Sequence, residues 1–240
     1  MKTTWLMTSL VTVIVALACG QLFGQGIIVQ HLGARNPLTE GFTLIYRAGS
    51  VGPVTNDLGR SSWSIDSEAG AVQYRQFLSA AERGLLAGAD WVLSAQLRIV
   101  PGLVRGATLM AFSTGSQGFM VVIGVQPNGD PNIFTGSSLN PVLVLNGAGA
   151  GYHEYDLYYH AATGLSDLWV DGSIRVGGVR GTTPVAGPWS VLWGGGLEGA
   201  GSQANWNSVS LAIVPEPSAL GLLCCGGLLM GTRRWSKGVT

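Results

Sequence analysis

The chain is 240 residues long and glycine-rich, and its 13 basic and 13 acidic residues balance to a formal charge of zero. Charge this sparse and balanced provides no basic surface of the kind that binds nucleic acid. The three cysteines, Cys19, Cys224 and Cys225, lie near the two ends, which excludes thiolate metal sites and cysteine nucleophiles from residues 26–214.

The first 25 residues predict a secretory signal peptide. Lys2 precedes an apolar stretch at residues 5–18, and small residues follow that stretch, as a signal peptidase requires. We expect cleavage between residues 18 and 26, and therefore export of the protein. A lipoprotein alternative stays open, because Cys19 lies in a Leu-Ala-Cys-Gly context that resembles a lipidation site.

Residues 26–214 predict a single all-β domain. Short apolar runs alternate with turns, and residues 91–99 show the period-2 alternation of a half-buried strand. Ser79 and Glu82 have capping-box spacing at the start of one predicted helix, residues 79–86. Roughly twelve strands and one helix favour a two-sheet antiparallel sandwich of the jelly-roll type. The predicted strands lie at residues 42–47, 91–99, 107–113, 119–126, 152–160, 165–170, 174–176, 189–193 and 209–214, and the tryptophans expected in the core are Trp63, Trp91, Trp189 and Trp193.

The segment of residues 155–172 resembles a hairpin of concanavalin A-like, laminin-G-like jelly rolls. It reads Tyr-Asp-Leu-Tyr-Tyr, then a Thr-Gly turn, then Asp-Leu-Trp-Val-Asp-Gly. Residues 206–211, after a glycine-rich loop, are similar to the closing strand of those domains. The resemblance implies this fold over residues 40–214, and it leaves the function open because the fold carries lectins, glycosidases and adhesive modules.

A candidate ligand-binding surface lies on this hairpin. Trp169 faces away from its apolar neighbour Leu168, on the same side as Asp167, and Tyr158 faces outward in the same way as Asp156. An aromatic ring can stack on a sugar while carboxylates accept its hydroxyl hydrogen bonds. We call Trp169, Tyr158, Asp156 and Asp167 the aromatic patch. The alternative interpretation is that Trp169 packs under a loop or against the second sheet.

No catalytic residue is predicted. Glu154 and Asp156 share one strand face, and a retaining glycosidase needs two carboxyl groups about 5 Å apart. The run resembles that of laminarinase-type glycosidases, but Tyr158 stands where their further glutamate is expected. We therefore interpret Glu154 and Asp156 as lying on the solvent-exposed face of a strand whose other face contributes to the core.

No metal site is predicted either, and no cofactor. His153 and His160 are separated by an odd number of positions, so they lie on opposite faces of a strand. Together with His31 they are expected to be surface side chains. Calcium stays an open alternative that requires six to eight converging oxygens. Its candidate ligands are Asp167, Asp171, Asn128 and Asp130.

Residues 215–240 combine Pro215-Glu216-Pro217, an apolar run at residues 219–232, and the cations Arg233 and Arg234. The prolines block helix entry upstream. The run is shorter than the roughly 20 residues of a comfortable membrane span, and the arginines favour a cytoplasmic C-terminus. This order resembles the PEP-CTERM sorting signal of Gram-negative bacteria, which implies recognition by the membrane processing enzyme exosortase.

These features predict an exported protein that is held in the inner membrane in transit and then reaches the cell surface or the extracellular space. Bacteria with this sorting system typically make exopolysaccharide, biofilm or floc, so the resemblance implies a structural or glycan-associated role. The expected partners are the secretion machinery, exosortase, the membrane and a polysaccharide. We favour a non-catalytic module; a glycoside hydrolase or lyase and a protein-binding adhesin are the alternatives.

Overall fold

Fifteen β-strands, one α-helix and a short 3₁₀ helix, Pro37–Glu40, make up the regular structure of the described part of the chain. The computed structural model describes residues 26–100, 107–135, 141–182, 188–196 and 201–215. The helix, α1, is Ala80–Leu86. The strands are β1 Gly26–Leu32, β2 Thr43–Arg47, β3 Ser50–Asp57, β4 Arg60–Asp66, β5 Val72–Phe77, β6 Trp91–Ile99, β7 Ala107–Ser113, β8 Gly118–Val125, β9 Pro131–Thr135, β10 Leu143–Val144, β11 His153–His160, β12 Leu165–Val170, β13 Ser173–Arg180, β14 Ser190–Gly195 and β15 Gln203–Ile213.

The strands form two antiparallel sheets. One has the order β13-β12-β11-β6-β15-β4-β3, with β1 as its eighth strand beside β15, and the other has the order β10-β9-β8-β7-β14-β5-β2. Every neighbouring pair along these two orders is antiparallel. The chain changes sheet after β1, β2, β4, β5, β6, β10, β13 and β14. The predicted two-sheet antiparallel sandwich is therefore confirmed, in an arrangement consistent with a jelly roll.

The nine predicted strands are all present, although β13 extends four residues beyond its predicted end and β15 begins six residues before its predicted start. β1, β3, β4, β5 and β10 were not predicted, and β9 was indicated only by the Asn128-Gly129 hairpin turn before Ile133. β3 reads Ser-Val-Gly-Pro-Val-Thr-Asn-Asp, and its glycine and proline argue against a strand in sequence alone. Its position explains the exception, because β3 ends the sheet order and an edge strand tolerates proline.

The predicted helix has the predicted cap. The Ser79 hydroxyl accepts a hydrogen bond from the Glu82 backbone N–H at 3.3 Å, and the Glu82 carboxylate accepts one from the Ser79 N–H at 2.7 Å. This reciprocal pairing satisfies two donors that a helix start leaves open. Leu86 at the other end of the helix is buried and anchors it to the core.

The core between the sheets is dominated by aromatic side chains. Trp193 is fully buried and stacks on Tyr74, with 5.0 Å between the ring centroids. The Trp206 ring lies at the same distance from Trp193 in a tilted arrangement. Trp91 stacks on Tyr159 at 4.9 Å. Of the four tryptophans expected in the core, three are buried and Trp189 is half-buried against it.

Residues Ile27–Ile213 form one compact unit. The predicted signal peptide at residues 1–25 lies outside the described residues, as does the predicted sorting segment apart from Pro215. Across the described ranges, no helix combines the length and apolar character needed to cross a membrane.

Candidate functional site

The outer face of the eight-stranded sheet carries the polar side chains that the sequence pattern places there. Along β11, Tyr155 and Leu157 are buried in the core, while Glu154, Asp156 and Tyr158 face outward. The alternation follows from the period of two along a strand. This side of the sheet is therefore the surface on which a ligand-binding site can be built.

The aromatic patch is assembled by the β11–β12 hairpin. Asp156 pairs with Trp169 across the strands, and Tyr158 pairs with Asp167. The Tyr158 and Trp169 rings are diagonal neighbours with centroids 5.9 Å apart and planes at 62°. Both rings are half-buried, so each keeps some surface in contact with solvent. The four side chains that were predicted to lie together therefore do so.

Burial raises the pKa values of the carboxyl groups on this face, and for Glu154 the neighbouring acids raise it as well. Burial raises the pKa of Glu154, and the neighbouring carboxylates of Asp156 and Asp171 raise that pKa further. Burial also raises the pKa of Asp156, against a smaller opposing effect of a hydrogen bond from Ser94. The pKa of Tyr158 is raised by burial and then by the same two acids, Asp156 and Glu154. The face thus concentrates negative charge next to aromatic surface.

Asp167 is the least available member of the patch. One carboxylate oxygen accepts the backbone N–H of Gly178 at 2.9 Å, and the other lies 3.1 Å from His160 Nε2. These contacts lie where the β12–β13 register shifts, so the carboxylate replaces pairing that the bulge removes. Within the described residues no backbone N–H donates to Asp156, so its carboxylate is the better acceptor for a ligand hydroxyl.

A second polar cluster centres on Asp57, at the end of β3. Its carboxylate forms an ion pair with Arg98 at 2.6 Å and accepts hydrogen bonds from Asn205 at 2.7 Å and from the Tyr152 hydroxyl at 2.9 Å. Burial alone would raise the pKa of Asp57, but these three partners together lower it. Burial raises the pKa of Tyr152 to about 12, so its hydroxyl stays protonated and donates.

Arg60 completes this cluster at the sheet surface. Its guanidinium lies over the Tyr152 ring, 5.4 Å from the centroid, and donates to the side-chain oxygen of Gln96. Arg60 is exposed, whereas Tyr152 and Gln96 are half-buried. A cation over an aromatic face gains electrostatic attraction from the ring, and the Gln96 bond fixes where the guanidinium points.

The expectation that all three histidines are surface side chains is wrong for two of them. His31 is fully buried because β1 turns it inward, where it stacks on Trp193 with ring centroids 4.7 Å apart. Its Nδ1 lies 2.5 Å from a carboxylate oxygen of Glu40. His153 is also buried, with Nδ1 2.8 Å from Asp171. Sequence reasoning lacked the long-range partners that make this burial possible.

The candidate calcium ligands are divided between two places: Asn128 and Asp130 share the turn before β9, whereas Asp167 lies in β12 and Asp171 in the turn after it. Asp130 accepts the backbone N–H groups of Gly147 and Gly149, each at 2.8 Å, and these two bonds lower its pKa. Asp171 accepts the Glu154 N–H at 3.0 Å in addition to its contact with His153. Within the described ranges no three His, Cys, Asp or Glu side chains converge as metal ligands.

Sequence reasoning found the aromatic patch but missed Tyr152, Arg60, Gln96 and the Asp57 cluster. Tyr152 could have been found, because it shares the parity of positions 154, 156 and 158. Arg60 and Gln96 are 36 residues apart, and no local pattern connects them.

No family model and no curated protein matches the chain. Solved structures do match. The carbohydrate esterase of the Shiga toxin-encoding bacteriophage phi24B is similar at 13% identity and a TM-score of 0.58, over 80% of this chain and 100% of that one. The binding domain of botulinum neurotoxin DC, solved with rat synaptotagmin II, gives 11% identity and a TM-score of 0.51, over 78% of this chain and 48% of that one.

Botulinum neurotoxin type C, whose cell entry depends upon interaction with two ganglioside molecules, gives 10% identity and a TM-score of 0.50, over 85% of this chain and 51% of that one. The chain thus spans about half the length of the neurotoxin chains that it matches. At these identities the likeness shows the fold alone, an antiparallel β-sandwich shared by proteins of different activity.

Proposed function

We propose that the chain is an exported, non-catalytic module of the concanavalin A-like kind that binds polysaccharide at the aromatic patch. The observation that carries this proposal is the pairing of two half-buried aromatic rings, Tyr158 and Trp169, beside Asp156 on the outer sheet face. Aromatic surface next to a few polar groups is the usual composition of a small-molecule site. The rings would stack on pyranose faces, and Asp156 would accept hydroxyl hydrogen bonds.

The similar structures support the proposal by their ligands. One acts on carbohydrate as an esterase, and another enters cells through gangliosides, which carry sugar headgroups. The occurrence of this sandwich in proteins that act on or depend on sugars supports the proposal, and in this chain the aromatic patch is the surface with suitable chemistry.

The test is a glycan array probed with the full chain and with Trp169→Ala and Tyr158→Ala. Losing a stacking ring should weaken binding about tenfold, equivalent to about 1.4 kcal/mol. Tyr46→Ala is the matched control, because Tyr46 is an exposed aromatic on the other sheet. Equal array profiles for all variants would remove the patch from the proposal.

The alternative of a glycoside hydrolase or lyase is favoured by one observation, the raised pKa of both Glu154 and Asp156. Raised carboxyl pKa values are typical of general acids. We prefer the non-catalytic function because burial accounts for the raised pKa of Asp156, and burial together with the neighbouring acids Asp156 and Asp171 accounts for that of Glu154. Reducing-sugar release from laminarin or agarose that Glu154→Gln abolishes would establish the enzyme instead. Capture of another surface protein without any glycan binding would favour an adhesin.

The two chain ends complete the proposal. Residues 1–25 would direct export, and residues 215–240 would hold the protein in the inner membrane until exosortase acts near Pro215-Glu216-Pro217. Replacing these three residues, or Arg233 and Arg234, should leave the protein in the membrane fraction. Release to the cell surface at the level of the unaltered protein would refute the sorting assignment.

A further inference from the structure

Four outward-facing side chains form a continuous row along β11 and the residue before it. Tyr152, Glu154, Asp156 and Tyr158 share one parity, and each is at least partly exposed. Six residues at about 3.3 Å each place the two tyrosines about 20 Å apart. The neighbouring strand β6 contributes Gln96 and Ser94 opposite the two acids. We call this row, with its β6 neighbours, the β11 track.

The Tyr158 end of the β11 track carries the aromatic patch, and we call it the near end. At the far end, several contacts hold Tyr152 and Arg60 in place. The Tyr152 hydroxyl is fixed by Asp57, which is itself held by Arg98 and Asn205. Arg60 lies over the Tyr152 ring and is bound to Gln96. A guanidinium has five N–H donors, so Arg60 keeps donors for a ligand after the bond to Gln96. An exposed cation held in one place is suited to binding hydroxyl or ether oxygens.

Charge along the track favours one class of ligand. Its centre carries two acids, Glu154 and Asp156, and its only described unpaired cation is Arg60 at the far end, since Arg98 is neutralised by Asp57. An anionic chain that follows the track would place its charges against these acids. Unpaired like charges at a binding surface discriminate against a ligand, so uronate and sulfated polymers are disfavoured.

We infer that the polysaccharide of the proposed function is an extended, uncharged chain that lies along the β11 track. Its near end stacks on Trp169 and Tyr158, its middle hydroxyls donate to Asp156 and Glu154, and its far end is held by Arg60 over Tyr152. This inference rests on the proposed function and adds a second contact point and a ligand class to it. A ligand confined to the aromatic patch would need neither the contact with Arg60 and Tyr152 nor an extended chain.

Affinity gel electrophoresis of the full chain tests the inference, in a non-ionic detergent without a sugar headgroup. The gels contain the uncharged polymers laminarin, mannan or agarose, or the anionic polymers alginate or polygalacturonate. Trp169→Ala probes the near end of the track, Arg60→Ala the far end, and Tyr46→Ala serves as the control. Melting temperatures verify that each variant is folded, and Arg60→Lys keeps the charge while losing the planar fork.

We expect retardation by an uncharged polymer that weakens about tenfold in Trp169→Ala and several-fold in Arg60→Ala, and is unchanged in Tyr46→Ala. Short oligosaccharides cut from the same polymer should respond to Trp169→Ala alone. Arg60→Ala without effect on the polymer would overturn the far contact, and tighter binding to alginate than to uncharged polymers would overturn the ligand class. If no polymer retards the unaltered protein, the proposed function fails together with the inference.

Discussion

Replacing Asp57 with alanine should destabilise the domain more than any other single loss of a surface carboxylate. The change removes the acceptor for Arg98, Asn205 and Tyr152 at once. The Asp57 and Arg98 side chains are only 13% and 17% exposed, so the arginine would keep its charge with little water to replace the partner.

The size of the effect follows from that burial. Removing one partner of a buried ion pair costs about 3–5 kcal/mol, whereas exposed pairs contribute about 0–1 kcal/mol. At this exposure we expect the low end of the buried range, about 3 kcal/mol. For a domain of this size, that loss corresponds to a fall in melting temperature of about 6–12 °C.

Urea unfolding of residues 26–214 measures the loss, and this fragment contains the whole compact unit Ile27–Ile213. Arg98→Met removes the cation with little loss of volume, so the double variant Asp57→Ala/Arg98→Met should recover part of the stability. A loss below about 1 kcal/mol for Asp57→Ala, or a double variant that shows the full sum of the two single losses, would refute the reasoning.

Three further predictions concern local features. Ser79→Ala removes the cap that bonds to Glu82 and should lower the free energy of unfolding by about 1 kcal/mol, measurable by urea unfolding; no loss would mean that α1 is held by packing alone. Leu58 has a φ of 52° at the β3–β4 turn, so Leu58→Asn should raise the melting temperature by relieving about 1 kcal/mol of strain, with a decrease contradicting this. Burial lowers the pKa of His31 below 6.5, so as the pH falls the unfolded chain binds a proton at His31 before the folded protein does. The free energy of unfolding should therefore be full above about pH 6.5 and decrease as the pH drops below it. His31→Gln should make the urea midpoint less dependent on pH in that range, and an unchanged pH dependence would refute the assignment.

Local sequence determined much of what was predicted correctly. The period of two along β11 and β12 fixes which side chains face outward, so Tyr158, Trp169 and Asp156 could be placed on one surface before their distances were known. The capping box at Ser79 is equally local, because it involves residues three positions apart. The fold class followed from the density of such strands, since only a sandwich or barrel buries them all.

The tertiary structure alone decided the remaining features. The burial of His31 depends on Trp193 in the opposite sheet, and the Asp57 cluster joins residues up to 148 positions apart. The periodicity of the sequence does not predict such contacts, because they form between strands that are distant in sequence and become neighbours only in the folded sheets. The chain therefore specified by itself a polar and aromatic face on the β11–β12 hairpin. The order of β11, β6, β15 and β4 in the sheet brought Arg60 and Gln96 to Tyr152 and so extended the face into the β11 track.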